Sequence, residues 1–145
     1  MTLDRSFIEQ NRASTDRIRK LVARLTDEEL QHPVDEHWTV AIVLAHLAFW
    51  DRRAMYVLEM TERDGKLFIP EIDIFVNDLS LPLWAAIPPR EAARIAIETA
   101  EALDKRLEGY PPALLEEIHA HNKRLVVRAL HRGEHLDEAD AALNG

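Results

Sequence analysis

The segment from Trp38 to Asp51 most constrains the fold, because it is almost entirely apolar yet carries one histidine, His46. Side chains three and four positions apart share one face of an α-helix. At those distances from His46 all the residues are apolar: Ile42, Val43, Phe49 and Trp50. A neutral imidazole has one donor and one acceptor, and burying it without partners costs about 1–3 kcal/mol. The segment therefore predicts a core helix and a polar partner for His46 inside the core.

The best candidate partner is the segment His131-Arg-Gly-Glu-His135, which carries two histidines four positions apart. On a helix, this spacing puts both rings on one face, roughly 6 Å apart along the axis, where one metal ion can bridge them. A third imidazole from a facing helix would leave a coordination position open, as catalytic sites do. We therefore predict that His46, His131 and His135 bind one metal ion. The alternative is that the pair is accidental and that His46 is a core histidine bonded to a carbonyl or carboxylate.

Two carboxylates near these histidines receive different interpretations. Glu138 lies about one turn after His135, and a metal-bound imidazole usually donates its second N–H to such a group, so Glu138 is a candidate orienting residue. Asp51 lies about 140° round the helix from His46, so we predict a solvent contact or a pairing with a neighbouring helix. The other four histidines are not expected in the site: His32, His37, His119 and His121.

Apolar periodicity predicts an all-α fold, a four-helix bundle, with no strand-like alternation in the sequence. Thr26 and Glu29 have the spacing of a capping box, and Thr39 is a predicted N-cap for a helix ending at Asp64-Gly65. A third helical pattern begins at Glu71, with a kink or break expected near Leu81 because Pro82 removes a backbone donor. We expect its apolar positions to line one face of the helix: Ile72, Phe75, Val76, Leu79, Leu83 and Ala86. The remaining predicted helices are Leu3–Leu25, Glu91–Leu107 and a last one starting near His121 or Asn122, with a separate turn over Ala113–His119 left open.

Length and composition limit the classes of function. A chain of 145 residues is expected to form one domain, residues 1–145. Acidic residues outnumber basic ones by 26 to 18, which argues against nucleic acid as a partner. No apolar run approaches the roughly 20 residues of a membrane span. The chain has no cysteine and no leader-like start, so we expect a cytoplasmic protein without thiolate chemistry of its own.

Several short motifs resemble those of one known family. They are Trp38-Thr39-Val40, then Leu44-Ala45-His46-Leu47 and Trp50-Asp51, and finally His131 to Leu136, with Asn77 and Trp84 in the third helix. In order and spacing they resemble the DinB-like superfamily. That group includes the DinB/YfiT-like metalloenzymes and the N-terminal domain of mycothiol-dependent maleylpyruvate isomerase.

The resemblance implies an up-down-down-up four-helix bundle, often a homodimer, with a three-histidine site that corresponds to His46, His131 and His135. In the family the metal is typically zinc or nickel, and sometimes iron or manganese. Members with known chemistry are transferases and isomerases that use a low-molecular-weight thiol, namely mycothiol, bacillithiol or glutathione. The resemblance therefore implies a small-molecule substrate and a thiol as a second cofactor.

Two classes of function follow. The first is a metal-dependent enzyme, either a thiol-dependent S-transferase acting on a small electrophile or a hydrolase that uses metal-bound hydroxide. The second is a non-catalytic helical bundle that binds a small ligand or a partner protein, with the histidines in a structural role. Metal content and its dependence on His46 discriminate between the two classes.

Overall fold

The computed structural model describes residues 3–145, which form six α-helices and no β-strand. The predicted all-helical class is confirmed. None of the helices in this part of the chain combines the length and apolar character that a bilayer span requires. The helices are α1 (Phe7–Arg24), α2 (Val40–Asp64), α3 (Val76–Ala85), α4 (Pro89–Glu108), α5 (Pro112–His121) and α6 (Ala129–Asn144), with 3-10 turns at Glu29–Gln31 and Lys123–Leu125.

Local signals set the ends of α2 as predicted. The Thr39 hydroxyl oxygen accepts a hydrogen bond from the Ile42 N–H at 3.2 Å, which satisfies one of the free donors of the first turn. At the other end Gly65 has a φ of 68°, the left-handed conformation that glycine adopts without a steric penalty. The predicted capping box is also present, because Thr26 and Glu29 exchange side-chain-to-backbone hydrogen bonds of 3.0 and 3.1 Å.

The four long helices, α1, α2, α4 and α6, pack in a closed ring. Helix α2 packs against α4 and α6, and α1 packs against the same two helices. Helix α4 has short buried side chains where it packs against α1 and α2, and these let the neighbouring helices approach closely. These are Ala92, Ala93, Ala96 and Ala100. Helix α3 packs on α2, outside the ring.

The prediction for α3 is wrong in two respects. The helix begins at Val76 rather than Glu71, and of the predicted kink or break the break is absent, because Pro82 lies inside the helix. Most of the predicted apolar face is exposed to solvent, with Phe75, Leu79 and Leu83 exposed by 68%, 76% and 71%. The physical reason is that this short helix rests on the bundle through its other side, where Trp84 is buried.

The start of α6 also differs from the prediction, because α6 begins at Ala129 rather than near His121 or Asn122. The segment left open as a separate turn is a full helix, α5. Asn122 leaves the helical conformation, and its side chain accepts a hydrogen bond from the Arg124 N–H at 3.0 Å. The buried Asn11 of α1 then fixes the first turn of α6. Its side chain accepts from the Ala129 N–H at 3.0 Å and donates to the Val126 carbonyl oxygen at 2.9 Å. A side chain 118 positions away in the sequence therefore caps α6.

Candidate metal centre

Three imidazole rings meet between α2 and α6. The Nε2 atom of His46 lies 3.2 Å from Nε2 of His131 and 3.1 Å from Nε2 of His135. One ligand nitrogen from each ring lies within 4.8 Å of the other two, and His46 itself is buried. The structure thus brings together the three histidines singled out in the sequence, and the group could hold a metal ion.

The spacing of the rings fits a divalent ion. Two nitrogens bound at about 2.0–2.1 Å to one tetrahedral ion lie roughly 3.3–3.4 Å apart, close to the distances seen here. Without an ion, the three nitrogen atoms cannot all form hydrogen bonds with one another. Each nitrogen of a neutral ring carries either a proton or a lone pair, so at least two of the three are of the same kind and cannot pair. Among the described residues, the Nδ1 atoms of His46 and His135 are buried and have no hydrogen-bond partner.

The surroundings keep two of the rings neutral, which is the form that binds metal. Burial, with a contribution from His135, lowers the pKa of His46 to about 3. Burial, followed by the positive charge of Arg128, lowers the pKa of His131 to about 2. Both rings are therefore uncharged at neutral pH.

A cavity of about 540 Å³ opens beside the three histidines. Trp38 forms part of its wall, with its ring centroid 4.9 Å from that of His46 and its plane stacked on His135. Trp50 and Asn77 also line it, and the Trp50 indole N–H donates to the Asn77 side-chain oxygen at 2.9 Å. The cavity thus combines aromatic and aliphatic side chains with a few polar groups, among them Asp35, as small-molecule sites usually do.

Glu138 lies at the edge of the same cavity. Its carboxylate is 3.5 Å from Nδ1 of His135. That contact does not meet hydrogen-bond geometry, since Nδ1 of His135 remains without a partner among residues 3–145. Glu138 is therefore within reach of the orienting role predicted for it, and that role remains a prediction.

A buried charged network lies beneath the histidines. Asp51 of α2 accepts hydrogen bonds from two α6 side chains, Arg128 and Arg132, each at 2.9 Å. Arg132 also donates to Asp104 of α4 at 2.9 Å. Burial raises the pKa of Asp104, while the charge of Arg132 opposes that rise. The network thus combines two carboxylates with two guanidinium groups, so its charges balance.

Arg132 is fully buried and connects α6 to all three other long helices. Besides Asp51 of α2 and Asp104 of α4, it donates to the Ser14 and Thr15 hydroxyl oxygens of α1, at 3.1 and 3.0 Å. Because His131 and His135 are carried by the same helix, this side chain fixes their position opposite His46. Arg132 is a positioning residue for the site.

Arg128 touches the site directly. Its guanidinium lies 3.3 Å from Nδ1 of His131. A guanidinium group can only donate, so in this contact Nδ1 accepts and the ring proton is on Nε2. Metal binding through Nε2 of His131 would move that proton to Nδ1 and would require this long contact to open.

Comparison with known protein families tests the family resemblance. A family model described as DinB superfamily matches residues 10–142. The chain belongs to the DinB superfamily. The predicted family is confirmed, and the match includes all three histidines. Searches of curated proteins and of solved structures give no match.

The sequence reasoning missed the buried arginines of this DinB superfamily member, although a signal was present. Arg132 lies four and seven positions before Leu136 and Ala139, which are core residues of α6. Asp51 occupies the equivalent stripe of α2, four residues after Leu47. Opposite charges on two core stripes indicate a buried ion pair. The solvent alternative for Asp51 is wrong, and its pairing with a neighbouring helix is confirmed.

The remaining histidines lie outside the cluster, as predicted. His37 is exposed, and neither His119 nor His121 lines the cavity. His32 is exposed too, but its Nε2 lies 3.1 Å from the Ala142 carbonyl oxygen near the end of α6.

Acid should destabilise the metal-free protein through His46 and His131. Their pKa values in the fold, about 3 and about 2, lie below the ordinary value of 6.5, so the unfolded chain binds more protons as pH falls below 6.5. Each ring should then reduce the free energy of unfolding by about 1.4 kcal/mol per pH unit until its folded pKa is reached. Urea unfolding between pH 7.5 and 4.5 measures the slope. The double variant His46→Gln/His131→Gln should give a shallower slope, and an equal slope would contradict the assignment.

Replacing Arg132 should be among the most damaging changes in the chain. Arg132→Met leaves Asp104 buried without its cationic partner, which should cost about 3–5 kcal/mol of unfolding free energy. Adding Asp104→Asn should recover a measurable part, because it removes the uncompensated charge. Arg17→Met, which breaks exposed ion pairs with Asp137 and Asp140, should cost less than about 1 kcal/mol. Equal losses for the two arginines, measured by urea unfolding, would refute the ranking.

Proposed function

We propose that this protein is a metal-dependent enzyme in which His46, His131 and His135 bind one divalent ion, with zinc or nickel as the first choices. The observation that carries the proposal is the convergence of three Nε2 atoms at the wall of a 540 Å³ cavity. No fourth metal ligand joins them among residues 3–145. Three protein ligands and an open position are the arrangement of catalytic rather than structural zinc sites.

The ion would supply Lewis acidity, lowering the pKa of a bound thiol or water and polarising an electrophile. The chain's own residues would prepare the site for that chemistry. Trp38 and Trp84 cover the His46 ring and keep water from it, with centroid distances of 4.9 and 5.4 Å. Glu138 would accept a hydrogen bond from the Nδ1–H group of His135 and so direct the Nε2 lone pair inward.

The reaction we favour is S-transfer from a low-molecular-weight thiol to a small electrophile. In it the thiol sulfur forms a bond to carbon, and the leaving group departs with the thiol proton. Support comes from DinB superfamily membership and the family resemblance, so this part rests on analogy. Hydrolysis is the enzymatic rival, and a non-catalytic bundle that binds a small ligand or a partner protein is the alternative.

We also propose the finer features that the resemblance implies. A four-helix bundle is supported by the closed ring of four long helices. Its up-down-down-up order of directions is proposed from the family resemblance. The net charge of −8 supports a function without nucleic acid, in line with a cytoplasmic enzyme that acts on a small molecule away from membranes.

A homodimer is supported by the exposed stripe of α3, formed by Phe75, Leu79 and Leu83. In a two-fold interface a surface patch contacts the same patch on the second copy. A patch that carries many charges of one sign would repel its copy, so an uncharged patch is favoured. The three side chains of the α3 stripe are spaced at four residues and are all apolar, which fits antiparallel contact of two α3 helices.

Metal content should depend on His46. Purified protein incubated with zinc or nickel should retain about one ion per chain, and His46→Ala should bind it at least about a hundredfold more weakly. The matched control is His37→Ala, an exposed histidine that has one charged contact among residues 3–145, with Glu36, and it should keep the ion. Elemental analysis after dialysis measures this. Equal metal in wild type and His46→Ala, or none in wild type, would refute the metal site.

The same samples test the reaction. Metal-loaded protein should consume a thiol in the presence of a small electrophile, while His46→Ala should not. Hydrolysis of the electrophile without thiol consumption would favour the hydrolase, and inactivity toward both with metal bound would favour the non-catalytic bundle.

The homodimer should depend on the α3 stripe. Light scattering after size exclusion should give twice the chain mass for wild type and the chain mass for Leu79→Glu, because a buried carboxylate at the interface is costly. Leu67→Glu, at an exposed leucine outside α3, should remain dimeric. A monomeric wild type would end this proposal, and circular dichroism checks that each variant is folded.

A further inference from the structure

A second, smaller cavity of about 150 Å³ adjoins His131, one of the three histidines. Three arginines line it, Arg53 of α2, Arg124 of the second 3-10 turn, and Arg128 at the start of α6. No carboxylate from the described part of the chain lines it. In a protein with a net charge of −8, a cavity bordered by three guanidinium groups is an unusual concentration of positive charge.

The charges of these arginines are only partly compensated. Arg124 pairs with Glu134 through two contacts of 2.9 Å, and Arg128 pairs with Asp51. Arg53 donates to the Pro70 carbonyl oxygen at 2.9 Å, and within residues 3–145 no carboxylate oxygen lies within 4.0 Å of its guanidinium nitrogens. Burial and the charge of Arg128 lower the pKa of Arg53. One cation is therefore left without an anionic partner.

The arginine cavity and the histidine cavity have two lining residues in common, His131 and Trp50. A group bound among the arginines would thus lie next to His131, one of the three converging histidines. Asn122 also lines the arginine cavity. Its side-chain oxygen is occupied by the Arg124 N–H, so the amide nitrogen is the atom available to donate. Every polar side chain there other than His131 offers donors.

We propose that the arginine cavity binds the carboxylate of the substrate, so that the enzyme acts on small carboxylate-bearing molecules whose reacting atom lies at the histidines. A planar guanidinium matches a carboxylate with two parallel hydrogen bonds, and a cavity of this size admits one such group. Calling the ligand a substrate rests on the proposed function, whereas the carboxylate site itself does not require the metal.

Binding of butyrate to the metal-free protein tests the site. Nuclear magnetic resonance of the arginine Nε–H groups should show saturable shifts for Arg53 and Arg128, and neutral butyramide should produce none. Arg53→Gln should weaken butyrate binding about ten- to a hundredfold, as expected for losing a charged hydrogen-bond donor. The matched control is Arg52→Gln, the neighbouring exposed arginine, which pairs with Glu59 at 3.3 Å. It should leave the affinity within about twofold.

The outcomes separate this proposal from the metal site. Butyrate binding that persists in His46→Ala, with metal content unchanged in Arg53→Gln, supports a carboxylate site that stands even if the metal proposal fails. Absence of saturable butyrate binding by wild type, or equal weakening by Arg52→Gln and Arg53→Gln, overturns it.

The source of the carboxylate is distinguished with 3-mercaptopropionate, which resembles butyrate but carries a thiol. In zinc-loaded protein, binding at least tenfold tighter than that of butyrate, and lost with Arg53→Gln, assigns the carboxylate to the thiol cosubstrate. Equal affinities of the two probes assign it to the electrophile. Either result supports the carboxylate site.

Discussion

The structure depends on one buried side chain, Arg132, which makes hydrogen bonds to all three other long helices. Its charge is matched by Asp51 and Asp104, and Arg128 completes the balance. Buried ion pairs add little net stability over an apolar core, because desolvation offsets the attraction, but an unpaired member is very costly. Such a network therefore acts mainly on specificity, since few packings of α2, α4 and α6 satisfy every charged group at once.

The network also explains why the histidine site has its geometry. On α6, His131 and His135 each follow an arginine of the network by three residues, so their rings lie beside it on the helix surface. Burying the arginines against Asp51 leaves the two imidazoles at the border of the core. There they face His46, which lies on α2 somewhat more than one turn before Asp51. Asn11 fixes the first turn of α6 from α1. The three Nε2 atoms thus converge because charged groups deeper in the core hold both helices in register.

The same arrangement places a surplus of positive charge beside His131. Asp51 and Glu134 compensate Arg128 and Arg124, while Arg53 has only a carbonyl oxygen as its partner. The histidine cavity and the arginine cavity have His131 and Trp50 among their lining residues. A cavity with aromatic, aliphatic and a few polar side chains therefore adjoins a cationic one, and this pairing gives the proposed enzyme a basis for choosing its substrate.

The sequence by itself determined the features that involve residues close together in the chain, namely helix ends and the spacing of side chains along one helix. The Thr39 cap, the Gly65 terminus and the Thr26–Glu29 capping box involve groups only a few positions apart, and the spacing of His131 and His135 is fixed by the helix itself. Only the tertiary structure decided which helix faces meet. The apolar stripe of α3 has a core-like pattern yet lies outside, because periodicity identifies an apolar face but not what covers it. The pairing of Asp51 with Arg132 joins residues 81 positions apart, and no local rule relates them.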